Sequence, residues 1–157
     1  MNAILMLLDK NARMSFEDIA TATGKTVDQV KKEIAAFEQN GTIKGYTALI
    51  DWEKTDRNYV TAQISVKIVL NGKLGFDDIA AELAAFEEVE SVSLMSGAYD
   101  ISLIVTGKTF QEIAMFVASR LSPLEWVQST ATSFLLKTYK ERGVATKYDE
   151  DIREVRS

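Results

Sequence analysis

The chain contains no cysteine and no histidine. The first absence excludes disulfides, thiolate zinc sites and cysteine nucleophiles; the second removes histidine-based triads. No apolar run approaches the length of a membrane span, and the N-terminus lacks the basic segment and apolar core of a secretory leader. Positive charge is also short: the net charge is −5, the wrong sign for a chain that meets nucleic acid through its overall field. Together these absences predict a cytoplasmic protein with no membrane segment, no metal, no cofactor and no catalytic residue, and they leave binding as the class of function to look for.

What is present is a good core. With 157 residues and 46% hydrophobic content the chain can bury one large core or two small ones. The charge is unevenly placed. Residues 1–45 carry six basic and six acidic side chains, which leaves 12 of the 18 basic and 17 of the 23 acidic residues to positions 46–157. The acidic bias therefore belongs to the second part of the chain, while the first part is neutral.

That first part reads as three short helices. Ile4, Leu5, Leu7 and Leu8 suit one helix. Ser15 can cap a second that breaks at Gly24, and Thr26 with Gln29 has the spacing of a capping box that starts a third. In the third helix Val27, Val30, Ile34 and Phe37 recur on one side, with Asp28, Gln29, Lys31 and Lys32 opposite. A helix held by one face offers the other to a partner, and Gly41 is placed to stop it. Residues 42–50 read as a hairpin or an extended linker, and the polar stretch 52–58 as a boundary.

The second part alternates strand and helix patterns. Val60, Ala62, Ile64, Val66, Ile68 and Leu70 have strand period, and Phe76, Ile79, Ala80, Leu83 and Phe86 have helical period. Val92 and Leu94, then Ile101, Leu103 and Val105, form two strands around Gly97-Ala98-Tyr99-Asp100. A second helix carries Phe110, Ile113, Ala114 and Val117, Pro123 lies just past its end, and residues 126–136 make the last strand. The helix pattern at Phe76 repeats 34 positions later at Phe110, as two copies of one strand-helix-strand unit would require. The order predicts a ferredoxin-like βαββαβ sheet with both helices on one face. The other face, left without a helix, is expected to be apolar and to associate with a second copy. The acidic pairs do not suggest a metal: Asp77 and Asp78 suit the positive start of a helix, and Glu87, Glu88 and Glu90 diverge in direction.

This arrangement resembles the Lrp/AsnC, or feast/famine, family of transcriptional regulators over residues 2 to about 140. The residues that carry the resemblance are Ile4-Leu5 with Leu8, Asn11-Ala12-Arg13-Met14-Ser15, Ile19-Ala20, Gly24, Thr26, Val30, Ile34, Phe37-Glu38, Gly41-Thr42-Ile43-Lys44-Gly45-Tyr46 and Gly97-Ala98-Tyr99-Asp100. The family usually has an arginine where Glu33 stands, a reversal expected to weaken DNA binding.

The resemblance implies an α+β chain: a helix-turn-helix (winged-helix-like) DNA-binding domain over 1–45, a hairpin or linker over 46–58, a ferredoxin-like effector-binding and oligomerisation domain over 59–140, and a tail over 141–157 with no assigned role. Lys31, Lys32, Gln29, Thr26 and Asp28 would face double-stranded DNA, with Arg13, Ser15 and Lys25 at its backbone. The 97–100 turn reads equally as a plain reversal or as part of a site for an amino acid or related small metabolite. In the second reading Gly97, Ala98 and Tyr99 let a carboxylate approach backbone amides, Asp100 takes the ammonium, and Thr130 and Thr132 line the pocket. A two-fold homodimer, or a higher even-numbered oligomer, would then read two half-sites. The rival reading is a ligand-binding adaptor of the same fold with weak or no DNA binding.

Overall fold

Three side chains start the three helices of the N-terminal unit. Asn2 Oδ1 accepts the amides of Ile4 and Leu5 at 2.9 and 3.3 Å and begins α1 (Ala3–Lys10). Ser15 Oγ accepts the Asp18 amide at 3.0 Å and begins α2 (Phe16–Thr23). Thr26 and Gln29 satisfy one another's amides at 3.2 and 2.9 Å and begin α3 (Val27–Gln39), a complete capping box. The stops are glycines in the left-handed region: Gly24 at φ 68° ends α2 and Gly41 at φ 76° follows α3. Ile4, Ile19, Ala20, Val30 and Ile34 close a small core among the three helices.

The computed structural model describes residues 1–146. They fall into two compact units that meet between Ile50 and Asp51, inside the 46–58 stretch. Residues 44–50 run without helix or strand pairing, so no hairpin forms there. In the second unit a single 3-10 turn over Trp52–Lys54 follows, and the Arg57 guanidinium lies 4.2 Å from the Trp52 ring and 4.3 Å from the Tyr59 ring.

The second unit consists of β1 (Val60–Ile68), α4 (Phe76–Ala84), β2 (Val89–Leu94), β3 (Ile101–Gly107), α5 (Phe110–Phe116) and β4 (Val127–Phe134). The sheet order is β2-β3-β1-β4 with every neighbour antiparallel, the ferredoxin-like arrangement. A short hairpin, β5 (Lys140–Glu141) with β6 (Val144–Ala145), turns through Arg142 and Gly143 at positive φ and straddles the expected start of the tail at 141. The remainder of that tail, 147–157, lies outside the described residues.

Strand alternation divides the sheet into two unlike faces. Ala62, Ile64 and Val66 on β1 and Leu103 and Val105 on β3 are fully buried against Ile79 and Leu83 of α4 and Ile113 and Phe116 of α5. The opposite face shows Thr61, Gln63, Ser65 and Lys67 on β1, Ser102, Ile104 and Thr106 on β3, Ser91 and Ser93 on β2, and Ser129, Ala131 and Ser133 on β4. It is uncovered, as expected, but it is polar: Ile104 and Ala131 are its apolar members, and Gln63 Nε2 donates to Ser102 Oγ across it at 3.0 Å. Periodicity shows which positions alternate outward, and short hydroxyl side chains there need no helix to cover them.

Because Ile64 has no exposed surface at the centre of this core, Ile64→Ala is expected to cost about 2–5 kcal/mol of unfolding free energy. Denaturant titration checks this, and a loss below about 1 kcal/mol would mean that the site collapses around the smaller side chain.

Candidate functional site

The exposed side of α3 takes in two alanines as well as polar residues. Asp28, Lys32, Ala35 and Gln39 are spaced as one helical stripe and all are exposed, opposite the buried Val30 and Ile34. Lys32 is the cation at the centre of that stripe. Lys31 sits at its edge, with Nζ 5.5 Å from the centroid of the Phe16 ring on α2. Ala35 and Gln39 escape a reading based on charge and capping, yet the stripe spacing from Asp28 finds them. Alanine there leaves the backbone of α3 open to close approach.

Several predicted contact residues are already engaged. The Gln29 amide oxygen accepts the Thr26 N–H at 2.9 Å, so that oxygen is shared with the helix cap. Lys25 is ion-paired with Glu33, and hydrogen bonding to that ammonium holds the Glu33 carboxyl below its ordinary value. Glu33 is thus a structural partner of the turn between α2 and α3 as well as a reversed charge. Ser15 acts through its cap, and Arg13 is exposed in the turn before α2, where its amide donates to Asn11 Oδ1 at 3.0 Å.

The turn between β2 and β3 is closed at its base by backbone bonds. The Met95 amide donates to the Asp100 carbonyl at 2.8 Å, and the Asp100 amide donates to the Val66 carbonyl at 3.0 Å. The Asp100 carboxylate accepts the Ile68 amide at 2.8 Å and the Lys67 ammonium at 3.2 Å. The β1–β4 register shifts between Lys67 and Ile68, so the carboxylate satisfies an amide at a bulge that regular pairing does not serve. That bond, ahead of Lys67, holds the Asp100 carboxyl below its ordinary range against the opposing effect of desolvation. Each Asp100 oxygen thus already accepts one bond within the fold, and a ligand ammonium at this residue would share an oxygen with the Ile68 amide or Lys67. Gly97 stands in open space, with nothing within 4 Å of where a Cβ would lie. The amides of residues 96–99 have no acceptor among the described residues.

Thr130 and Thr132 lie on the helix side of the edge strand β4, opposite Val66 and Ile64. Val66 also pairs with Ile101, so Thr130 shares a row with the base of the 95–100 turn and Thr132 stands one step farther off. The sheet thus brings Thr130 near that turn, with β1 in between.

Three helices with an exposed third face, joined to an antiparallel ferredoxin-like sheet, define the class of two-unit helix-turn-helix regulators. The model of the Lrp/AsnC ligand binding domain matches residues 61–145. The HTH-type transcriptional regulator YugG of Bacillus subtilis is 42% identical over 153 residues, 97% of this chain and 92% of that protein. An HTH-type transcriptional regulator of Pyrococcus furiosus is 31% identical over 137 residues, 87% of this chain and 90% of that one. Among solved structures, a transcriptional regulator of Neisseria meningitidis in its L-Met complex superposes with a TM-score of 0.69 at 25% identity, covering 88% of this chain and 89% of that chain. The chain belongs to the Lrp/AsnC family of transcriptional regulators. Its family and relatives are regulators rather than enzymes, and among the described residues no helix is long and apolar enough to cross a membrane.

A carboxyl whose folded pKa is depressed adds stability above its unfolded pKa and loses it as pH falls through the folded value. For Asp100 the contribution is present above about 3.8 and disappears below it. Asp100→Ala is accordingly expected to melt lower than the wild type at pH 7, with the difference narrowing as the pH is taken into the acid range. Equal melting temperatures at pH 7 would mean that the bulge amide finds another acceptor.

Proposed function

We propose that the chain is a homodimeric regulator that sets one α3 into each of two half-sites of double-stranded DNA and answers to an amino acid bound at the 95–100 turn. The observation that carries the DNA reading is the exposed stripe Asp28, Lys32, Ala35 and Gln39 on a helix whose start is locked by a complete capping box. One lysine in that stripe supplies little electrostatic attraction, so two copies related by a two-fold axis are needed for useful affinity. The uncovered four-stranded face, lined by short polar side chains, is the surface assigned to that pairing. The effector reading rests on the open space at Gly97 and on the relative from Neisseria meningitidis, which was solved with L-Met. A ligand carboxylate would meet the amides of residues 96–99, while Asp100 keeps the turn in shape.

The test is retention of a DNA fragment from the gene's own upstream region over a range of salt, alongside light scattering of the free protein. The dimer mass is expected at micromolar concentration. Lys32→Ala is expected to lower the salt slope by about 0.9 for each phosphate that the lysine neutralises, and Lys31→Ala to change it less because that lysine leans on Phe16. A monomer, or a slope unchanged in Lys32→Ala, would sink the corresponding half of the reading. Retention absent at low salt with ligand binding intact favours the adaptor instead.

Gly97→Val separates ligand from scaffold. With open space at that position, the variant is expected to fold and bind DNA as the wild type does, and to lose the thermal shift produced by L-methionine or another responsive amino acid. An unchanged shift would remove the turn from the effector site.

A further inference from the structure

β3 begins beside the 95–100 turn and ends at Gly107, and at that far end a cleft of about 350 Å³ opens between β3, the residues before β2 and the helix α5. Three independent features converge on it. Oε1 of Glu88, at its edge, accepts from the Arg120 guanidinium, while Oε2 is buried with no hydrogen-bond partner among the described residues. A carboxylate oxygen held dry and unpaired is costly, and such a group calls for a donor. Second, α5 continues as a π-helical turn over Val117–Leu121, which carries Ser119 and Arg120 at the cleft wall. Single π turns are frequent at functional sites. Third, Gly107 is tightly packed: a Cβ would lie 3.0 Å from Ile113 Cγ1 and 3.4 Å from Glu112 Oε2, so those side chains would have to give. The bare backbone therefore lets α5 and the Glu112 carboxylate close on the strand end.

The lining fixes the chemistry of an occupant. Two carboxylates, Glu88 and Glu112, and one guanidinium line the cleft, so its lining carries an excess negative charge. Phe116 and Met115 supply an apolar wall, and Met115 is more than half exposed there. Glu112 Oε2 already accepts the Lys108 amide at 2.6 Å, and among the described residues no group of three acidic side chains is arranged to hold a metal. Arg120 is half exposed and rests on the Phe86 and Phe116 rings at 4.7 and 5.7 Å. It donates to Oε1 of the Glu88 carboxylate at the wall of the cleft.

We propose that this cleft binds a small organic cation, a primary ammonium on a short aliphatic chain, with Glu88 as its counter-ion and Arg120 swinging outward to admit it. The ammonium donates to Glu88 Oε2, and its chain lies along Met115 and Phe116. Swung outward, the guanidinium leaves the Phe86 and Phe116 rings and its charge passes to water. The site is separate from the 95–100 turn, and its occupant differs in charge from an amino acid, whose carboxylate would be repelled by Glu88 and Glu112.

The experiment titrates the full-length protein with n-butylammonium chloride, 1,4-diaminobutane dihydrochloride, sodium butyrate and L-methionine, following the backbone amide signals of Thr106, Gly107 and Ser119. The two amines are expected to move these signals to saturation, and butyrate to leave them in place. Glu88→Gln keeps the shape and an acceptor for Arg120 but removes the charge, and is expected to weaken amine binding by about tenfold. Ser119→Phe fills the mouth from an exposed position and is expected to block binding while Glu88 is intact. The amine response is expected to survive Gly97→Val, which separates it from any binding at the turn. Absence of amine-induced shifts, equal affinity in Glu88→Gln, or tighter binding of L-methionine than of butylammonium at these amides would each overturn the proposal.

Discussion

Side-chain alternation along the two central strands is the constraint on which the second unit depends. The parity that sends Ala62, Ile64 and Val66 into the core with Leu103 and Val105 also sends Gln63, Ser65 and Ser102 to the other side. A slip of one residue in either strand would bury the hydroxyls and expose the isoleucines, so the pairing is strongly specified. Both helices then have a single place to go. The apolar stripes of α4 and α5 are satisfied on the same face, and the far face is left without a helix.

Polar and charged side chains near the two candidate sites are occupied with local structure. Asp100 serves a bulge amide and Lys67; Glu33 holds Lys25; Gln29 closes a capping box. Each is polar and conveniently placed for a ligand or for DNA, and each is engaged because a folded backbone leaves specific amides and charges that must be answered locally. What remains for partners is the less conspicuous set: Lys32 beside Ala35 on α3, the open backbone around Gly97, and a carboxylate oxygen of Glu88 with no donor among the described residues. What these groups share is the lack of a partner among the described residues.

The elements were largely legible because their signals are short-range. Ser15, Thr26 and Gln29 cap where their spacing said they would, and Gly24 and Gly41 stop their helices through positive φ. The strand and helix periods of residues 60–134 give the ferredoxin-like order, and the 34-residue echo corresponds to α4 and α5 in two matching strand-helix-strand units. The unpaired run at 44–50 was less legible. A stretch holding Gly45, Thr47 and Ile50 suits a hairpin as well as a linker, and pairing requires a second strand within reach.

The amino-acid sequence alone therefore determined the two-unit organisation, the helix starts and stops, the strand order and the exclusion of thiol and imidazole chemistry, all of which follow from composition or from residues a few positions apart. Tertiary structure alone decided the rest. It set Asp100 beside the Ile68 amide, 32 positions away, and Arg120 beside Glu88, also 32 positions away. It also showed the uncovered sheet face to be polar as a surface, through the register of four strands that are not all neighbours in sequence. Whether a side chain is free for a partner depends on which distant group it meets first, and periodicity carries no information about that meeting.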